Sequence, residues 1–200
     1  MSTTTPAGRR ARLAPEERRS QLLDLGVRLL ATRSVEELSV EVLAEEGGVS
    51  RGLLYHYFGG KHAFHEAVVR RVADELIERT APPPSGDPVE RLLASVDAYV
   101  GYVVEHYDSY LSLVKGASSG NPTVRAIHDE VLAAMTDRIF DEDGGETVPD
   151  TPGARLMARG WGAMVEEVVL GWAAHPRGIT RENLLLSLAA SLQHLVDSAP

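Results

Sequence analysis

The stretch Gly48-Val49-Ser50-Arg51-Gly52-Leu53-Leu54-Tyr55-His56-Tyr57-Phe58, followed by Gly59-Gly60-Lys61, decides how this chain is read. Within the length of one short helix it places a tight turn, a hydroxyl cap, a basic side chain, three aromatic rings and a histidine. Ser50 is a helix N-cap residue, Leu54 and Phe58 sit four apart and face inward, and Gly59-Gly60 stops the helix. Just upstream, Ser39 can cap a short helix that buries Val40, Leu43 and Ala44. Gly47-Gly48 ends that helix where positive φ is cheap. A short supporting helix, a tight turn and a second helix with polar side chains at its start make the geometry of a helix-turn-helix DNA reader.

The chemistry of the second helix agrees with that geometry. Its unpaired N–H groups and Ser50 form an anion site that suits a phosphate. Arg51 projects from the first turn, where it can pair with guanine O6 and N7 or clamp a phosphate. Gly52 leaves room for close approach of DNA. Tyr55, His56 and Tyr57 offer donors for phosphate oxygens, and Lys61 adds a charge at the start of the next helix. Tyr55 could instead be only a core aromatic, since one ring can pack and still present its hydroxyl.

Outward from this unit the chain reads as all-α. Pro15 with Glu16-Glu17 opens a first helix, to about Thr32, whose Leu22, Leu25, Gly26, Leu29 and Leu30 mark one apolar face. A fourth helix runs from about Lys61 to Arg79, with Phe64, Val68, Val72 and Leu76 as its buried stripe. Pro82-Pro83-Pro84-Ser85-Gly86 is the clearest break, because prolines in series cannot continue a helix. Helix starts follow at Asp87-Pro88, Asn121-Pro122, Thr151-Pro152 and Thr180, with loops expected at Gly116 to Gly120 and Asp141 to Pro152. The resulting division is a basic arm at 1–14, a helix-turn-helix domain at 15–60, a connecting helix at 61–80 and a helical domain at 81–200.

Charge and composition set the bounds. The 200 residues carry a net charge of −9, but residues 1–80 balance 12 basic against 12 acidic groups, so all the excess acid lies beyond them. A net acidic chain therefore does not argue against DNA binding by its first part. Arg9, Arg10 and Arg12, with Arg18 and Arg19, form a basic cluster that suits either an arm following a DNA groove or a solvated tail. The absence of cysteine removes disulfides, thiolate catalysis and cysteine-based zinc sites, and is compatible with a reducing cytoplasm. No secretory signal and no apolar run near the roughly 20 residues of a membrane span is present, so a soluble cytoplasmic protein is expected. No cofactor motif is read. His56, His62, His65 and Glu66 invite a metal reading, but the i, i+4 histidine pair of a zinc helix is lacking, and no metal is expected.

The segment Gly48 to Phe58, with Lys61 and the apolar Phe64, resembles the TetR-type bacterial repressors, whose pattern is close to Gly-Val-Ser-Lys/Arg-Gly/Ala-Thr-Leu-Tyr-x-Tyr/His-Phe with a following lysine. The likeness covers about residues 15–75. It implies a three-helix DNA-binding head, a connecting fourth helix and a divergent C-terminal domain that binds a small-molecule effector and dimerises. Carried onto this chain, it makes Ser39, Ser50, Arg51, Gly52, Tyr55, His56, Tyr57 and Lys61 the contacts to double-stranded operator DNA. Leu53 departs from the usual threonine, alanine or serine, and either touches a thymine methyl or packs. Gly47-Gly48 stands where the pattern has Ala-Gly.

Beyond the proline break, Tyr99, Tyr102, His106, Tyr107 and Tyr110 fall within three turns of helix, and Trp161, Met164 and Trp172 follow on a later one. Such stripes fit either a core or an apolar effector cavity with a few polar handles; for the second, Tyr102, His106, Tyr110, Trp161 and Met164 are the candidates. The helices at about 154–174 and 181–196 are the most apolar, with Leu184, Leu185, Leu188, Leu192 and Leu195 at bundle spacing. They suit the resembled family's homodimer face or burial within one subunit. The expected function is a DNA-binding transcriptional regulator, a repressor released by a small apolar or aromatic effector. The competing readings are a helical ligand-binding or protein-interaction module without specific DNA binding and an enzyme on a helical bundle. Glu105, His106, His128, Asp129, Glu166 and Glu167 are too scattered in sequence to favour the enzyme.

Overall fold

The computed structural model describes residues 14–141 and 148–198. The basic arm with Arg9, Arg10 and Arg12, and most of the acidic loop after Asp141, lie outside them. Among the described residues the chain forms α1 (Pro15–Leu29), a 3₁₀ turn (Val35–Glu37), α2 (Val40–Gly47), α3 (Arg51–Phe58), α4 (Lys61–Arg79), α5 (Pro88–Glu105), α6 (Tyr107–Ser118), α7 (Pro122–Asp141), α8 (Pro152–Ala174) and α9 (Arg181–Asp197). The helix starts follow from side-chain caps. Ser39, Ser50, Thr151 and Thr180 each accept one backbone N–H of the following turn, and Asp87 accepts those of Val89 and Glu90. Gly48, at φ +59, and Gly59, at φ +73, end α2 and α3 in the left-handed conformation.

Three expectations are corrected. α1 ends at Leu29, and residues 30–32 continue as turns. α6 runs through Ser118, so Gly116 and Ala117 are helical and buried at the α6–α7 closure, where an added Cβ on Gly116 would lie 3.6 Å from Val124. The turn there is confined to Ser119 and Gly120, the latter at φ +99, with Asn121 capping α7 through Val124 N. The tyrosine-rich segment is two helices, broken at His106, where φ −117 and ψ 27 leave the helical region. The Ser109 hydroxyl donates to the His106 carbonyl at this break. Arg79 holds the same corner from α4, pairing with Glu105, contacting His106 Nε2 at 3.1 Å and lying over the Tyr102 ring at 5.2 Å.

One continuous apolar core joins the head to the C-terminal bundle. α4 buries a wider face than the four-residue stripe, adding His65, Val69 and Ala73, because it packs against α1 on one side and α7 on the other. Gly26 permits the first contact: a Cβ there would come within 2.6 Å of Val68 and 2.8 Å of Phe64. Gly162 does the same for α8 against α7, where Leu132 would lie at 2.6 Å. α8 and α9 pair closely, and α9 is tied to α5 by Arg181 and Asp97.

Candidate functional site

In the head, α3 is held from behind by Leu54 and Phe58, both buried, the Phe58 ring lying edge-on to Phe64 at 4.9 Å. That anchoring turns Arg51, Gly52, Tyr55, His56 and Gly59 to solvent along one face, with Leu53 and Tyr57 half-buried at its border. Tyr55 is 52% exposed and therefore is not a core aromatic in this chain. Ser39 and Ser50 spend a lone pair on their own helices, Ser39 on Val42 N and Ser50 on Leu53 N. Arg51 meets Glu41 of α2 at 3.5 Å, an exposed pair that offsets part of its charge. Lys61 donates to the Glu36 carbonyl at 2.7 Å and so braces the 3₁₀ turn.

That turn is a junction between head and body. The Glu36 carboxylate accepts from Asn121 at 2.9 Å, which lowers its pKa, and Ser112 of α6 donates to the Arg33 carbonyl. His65 lies buried behind it, 2.6 Å from the Leu38 carbonyl, and burial pushes its pKa down. This imidazole is committed to the backbone, and no cluster of metal-ligating side chains occurs among the described residues.

The body encloses a cavity of about 100 Å³ walled by α4, α5, α6, α7 and α8. Its surface is mainly apolar, from Val72 and Leu76 of α4 round to Ile127 and Val165. One end is polar. Tyr110 donates to Glu166 Oε2 at 2.9 Å, His128 Nε2 meets the same oxygen at 2.8 Å, and Tyr99 and Tyr110 share a hydroxyl contact of 3.1 Å. Burial raises the pKa of both phenols, and the bond to Glu166 raises that of His128.

Of the five candidate effector residues, Tyr110 and Trp161 line this cavity, whereas Tyr102, His106 and Met164 do not. Tyr102 packs instead on Arg79 and on His106. Trp161 presents only its rings, because its N–H donates to the Leu188 carbonyl and Ser191 on α9. Tyr99, His128 and Glu166 were not among the candidates. The available signal was helical phase: His128 sits four after Val124 and four before Leu132, and Glu166 four after Gly162, so both occupy inward positions where an apolar residue is the default.

Two family descriptions match this chain. "Bacterial regulatory proteins, tetR family" covers residues 22–68, and "Tetracyclin repressor-like, C-terminal domain" covers residues 88–197. The chain belongs to the TetR family. Its head is a helix-turn-helix of that family and its body a TetR C-terminal domain, so the protein is a DNA-binding transcriptional regulator. Similar TetR-type chains include the transcriptional activator FasR of Mycolicibacterium smegmatis, 28% identical over 89% of this chain and 84% of its own length. The regulator EthR of the same species is 29% identical over 93% and 89%. A TetR-family regulator from Streptomyces coelicolor superposes with a TM-score of 0.77 at 32% identity, covering 92% of this chain and 82% of that one.

Proposed function

We propose that this protein is a repressor that grips operator DNA as a homodimer and lets go when a small molecule fills the body cavity. The observation that carries the proposal is the double role of α4. It begins three residues after α3, the helix that presents Arg51 and His56, and its Val69, Val72, Ala73 and Leu76 wall the cavity. A ligand that reshapes the cavity therefore pushes on the helix that aims the head. If it fits better with the heads splayed, linkage requires that it weaken DNA binding by the same coupling free energy, typically about 1–3 kcal/mol.

In the DNA complex, Ser39, Ser50, Tyr55, Tyr57 and Lys61 are assigned to phosphates. Arg51, Gly52, Leu53 and His56 face the groove. Of the leucines at bundle spacing, Leu184, Leu188 and Leu192 are buried within the protomer and are not free for a dimer face, while Leu185 and Leu195 are half-buried. The outward face of α8 carries Leu156, Gly160, Ala163 and Gly171, all exposed. An added Cβ on Gly160 or Gly171 would meet nothing within 4 Å in the protomer, which suits close approach of a second copy. Two-fold symmetry then sets the recognition helices about 34 Å apart or further. No described helix is long and apolar enough to cross a membrane, and action on DNA in the cytoplasm without enzymatic chemistry is the reading adopted.

The test is a gel shift against the promoter region beside its own gene at several salt concentrations. A specific complex with steep salt dependence is expected, and no complex at low salt would overturn the proposal.

A further inference from the structure

The polar end of the cavity asks more of an effector than an apolar surface. Tyr110 has one hydroxyl proton and gives it to Glu166 Oε2. In the Tyr99–Tyr110 contact Tyr110 must therefore accept, so Tyr99 is the donor and its proton is spent as well. His128 Nε2 meets the same carboxylate oxygen, which can only accept, so that ring nitrogen also donates. All three donors are consumed by protein acceptors. What remains is the lone-pair capacity of Tyr99 Oη and Glu166 Oε1, with His128 Nδ1, an acceptor while the ring is neutral; Oε1 takes no hydrogen bond from any described residue. No lysine or arginine lines this cavity.

A second cavity, of about 370 Å³, lies between α5, α7 and α9 and shares Leu92, Ser95, Met135 and Ile139 as wall with the first. The first alone is smaller than the roughly 300–1,000 Å³ of ordinary ligand sites, while the pair reaches that range. Met135, unbranched and flexible, sits where the two meet.

We propose that the effector is an elongated amphiphile with a protonated amine head, its ammonium donating to Glu166 Oε1 and Tyr99 Oη and its apolar chain passing Met135 into the second cavity. The proposal rests on the body cavity being the effector site. An acid head would set a carboxylate against Glu166 and could find a donor only in Nδ1 of a protonated His128, whose charge Glu166 already pairs. The reverse orientation, an acid at Arg91 or Arg138 in the second cavity, would leave Glu166 Oε1 facing the far end of a hydrocarbon chain. It would also have to compete for guanidinium groups already donating to the Pro83 and Ile77 carbonyls, each at 2.7 Å.

The experiment is calorimetric titration of the full chain with dodecylamine, dodecanol and dodecanoate, each repeated with operator gel shifts. Dodecylamine is expected to bind about tenfold or more tightly than the other two, the difference expected of one charge-assisted hydrogen bond. Glu166→Gln should reduce that advantage to within about threefold while dodecanol affinity holds, and Tyr99→Phe, which keeps the ring, should remove part of it. Met135→Trp should weaken dodecylamine and spare butylamine. Dodecanoate or dodecanol binding as well as dodecylamine, or an ammonium preference that survives Glu166→Gln, overturns the head-group assignment. If dodecanol releases the operator and dodecylamine neither binds nor releases it, the effector role stands and this inference falls. If dodecylamine binds with the stated preference and the operator stays bound, the head-group assignment of the cavity stands and the effector role falls.

Discussion

Lys61 has two roles that one substitution separates. Its ammonium donates to the Glu36 carbonyl at 2.7 Å on the exposed surface, and the DNA assignment gives it a phosphate as well. In Lys61→Met the first role costs one hydrogen bond, about 1 kcal/mol at an exposed site, or about 2–4 °C of Tm for a chain of this size. The second costs one neutralised phosphate per head, about 0.9 in the slope of log K against log salt and about 1.8 for a dimer. Between 50 and 200 mM salt a slope change of about 1.8 alters the ratio of wild-type to variant affinity about 12-fold, the wild type losing more as salt rises. Differential scanning fluorimetry reads the first quantity, and fluorescence anisotropy with operator at four salt concentrations reads the second. Specific and nonspecific DNA should be weakened alike, because a phosphate contact carries no sequence information. A variant with lowered Tm and an unchanged salt slope would refute the phosphate assignment, leaving Lys61 only as a brace for the 3₁₀ turn. An unchanged Tm with a reduced slope would refute the brace.

Glu41→Gln removes the carboxylate 3.5 Å from Arg51. Operator binding should tighten severalfold at low salt, with the gain fading as salt rises and Tm nearly unmoved, since exposed pairs contribute little. Ala163→Arg puts a long charged side chain on the outward face of α8; sedimentation should show a monomer, and operator affinity should fall by about 10²–10⁴ as the second head is lost. The buried His65 and the half-buried His128 give opposite pH branches. His65 has a depressed folded pKa, so its contribution is present above 6.5 and is lost as pH falls through the folded value. His128 has a raised folded pKa, so its contribution is full below 6.5 and is lost as pH rises through the folded value. Urea midpoints measured across this range should fall on both sides, and His128→Gln should flatten the alkaline branch only.

The head was legible because each of its parts is local. Ser50, Leu54, Phe58 and Gly59 encode cap, inward face and stop within ten residues, so spacing alone turns Arg51, Tyr55 and His56 outward. Glu41 beside Arg51 was not legible, since pairing across the α2–α3 turn depends on how two helices cross. The cavity is the opposite case. Tyr99, Tyr110, His128 and Glu166 come from four helices and meet only after packing, and the break at His106 redirects the tyrosines that looked like one stripe. Tyr102, in phase with Tyr99 on an ideal helix, is drawn to Arg79, while Tyr99 reaches Tyr110 across the break. The leucines of α9 show the same limit, because periodicity marks an apolar face without saying whether α8 of the same chain or a second copy covers it. Polarity at an inward phase is more telling than an aromatic stripe. An aromatic ring is stabilised by burial alone, whereas Glu166 and His128 need a partner to be even half-buried, and a partner that leaves one carboxylate oxygen unbonded marks where a ligand's proton can go.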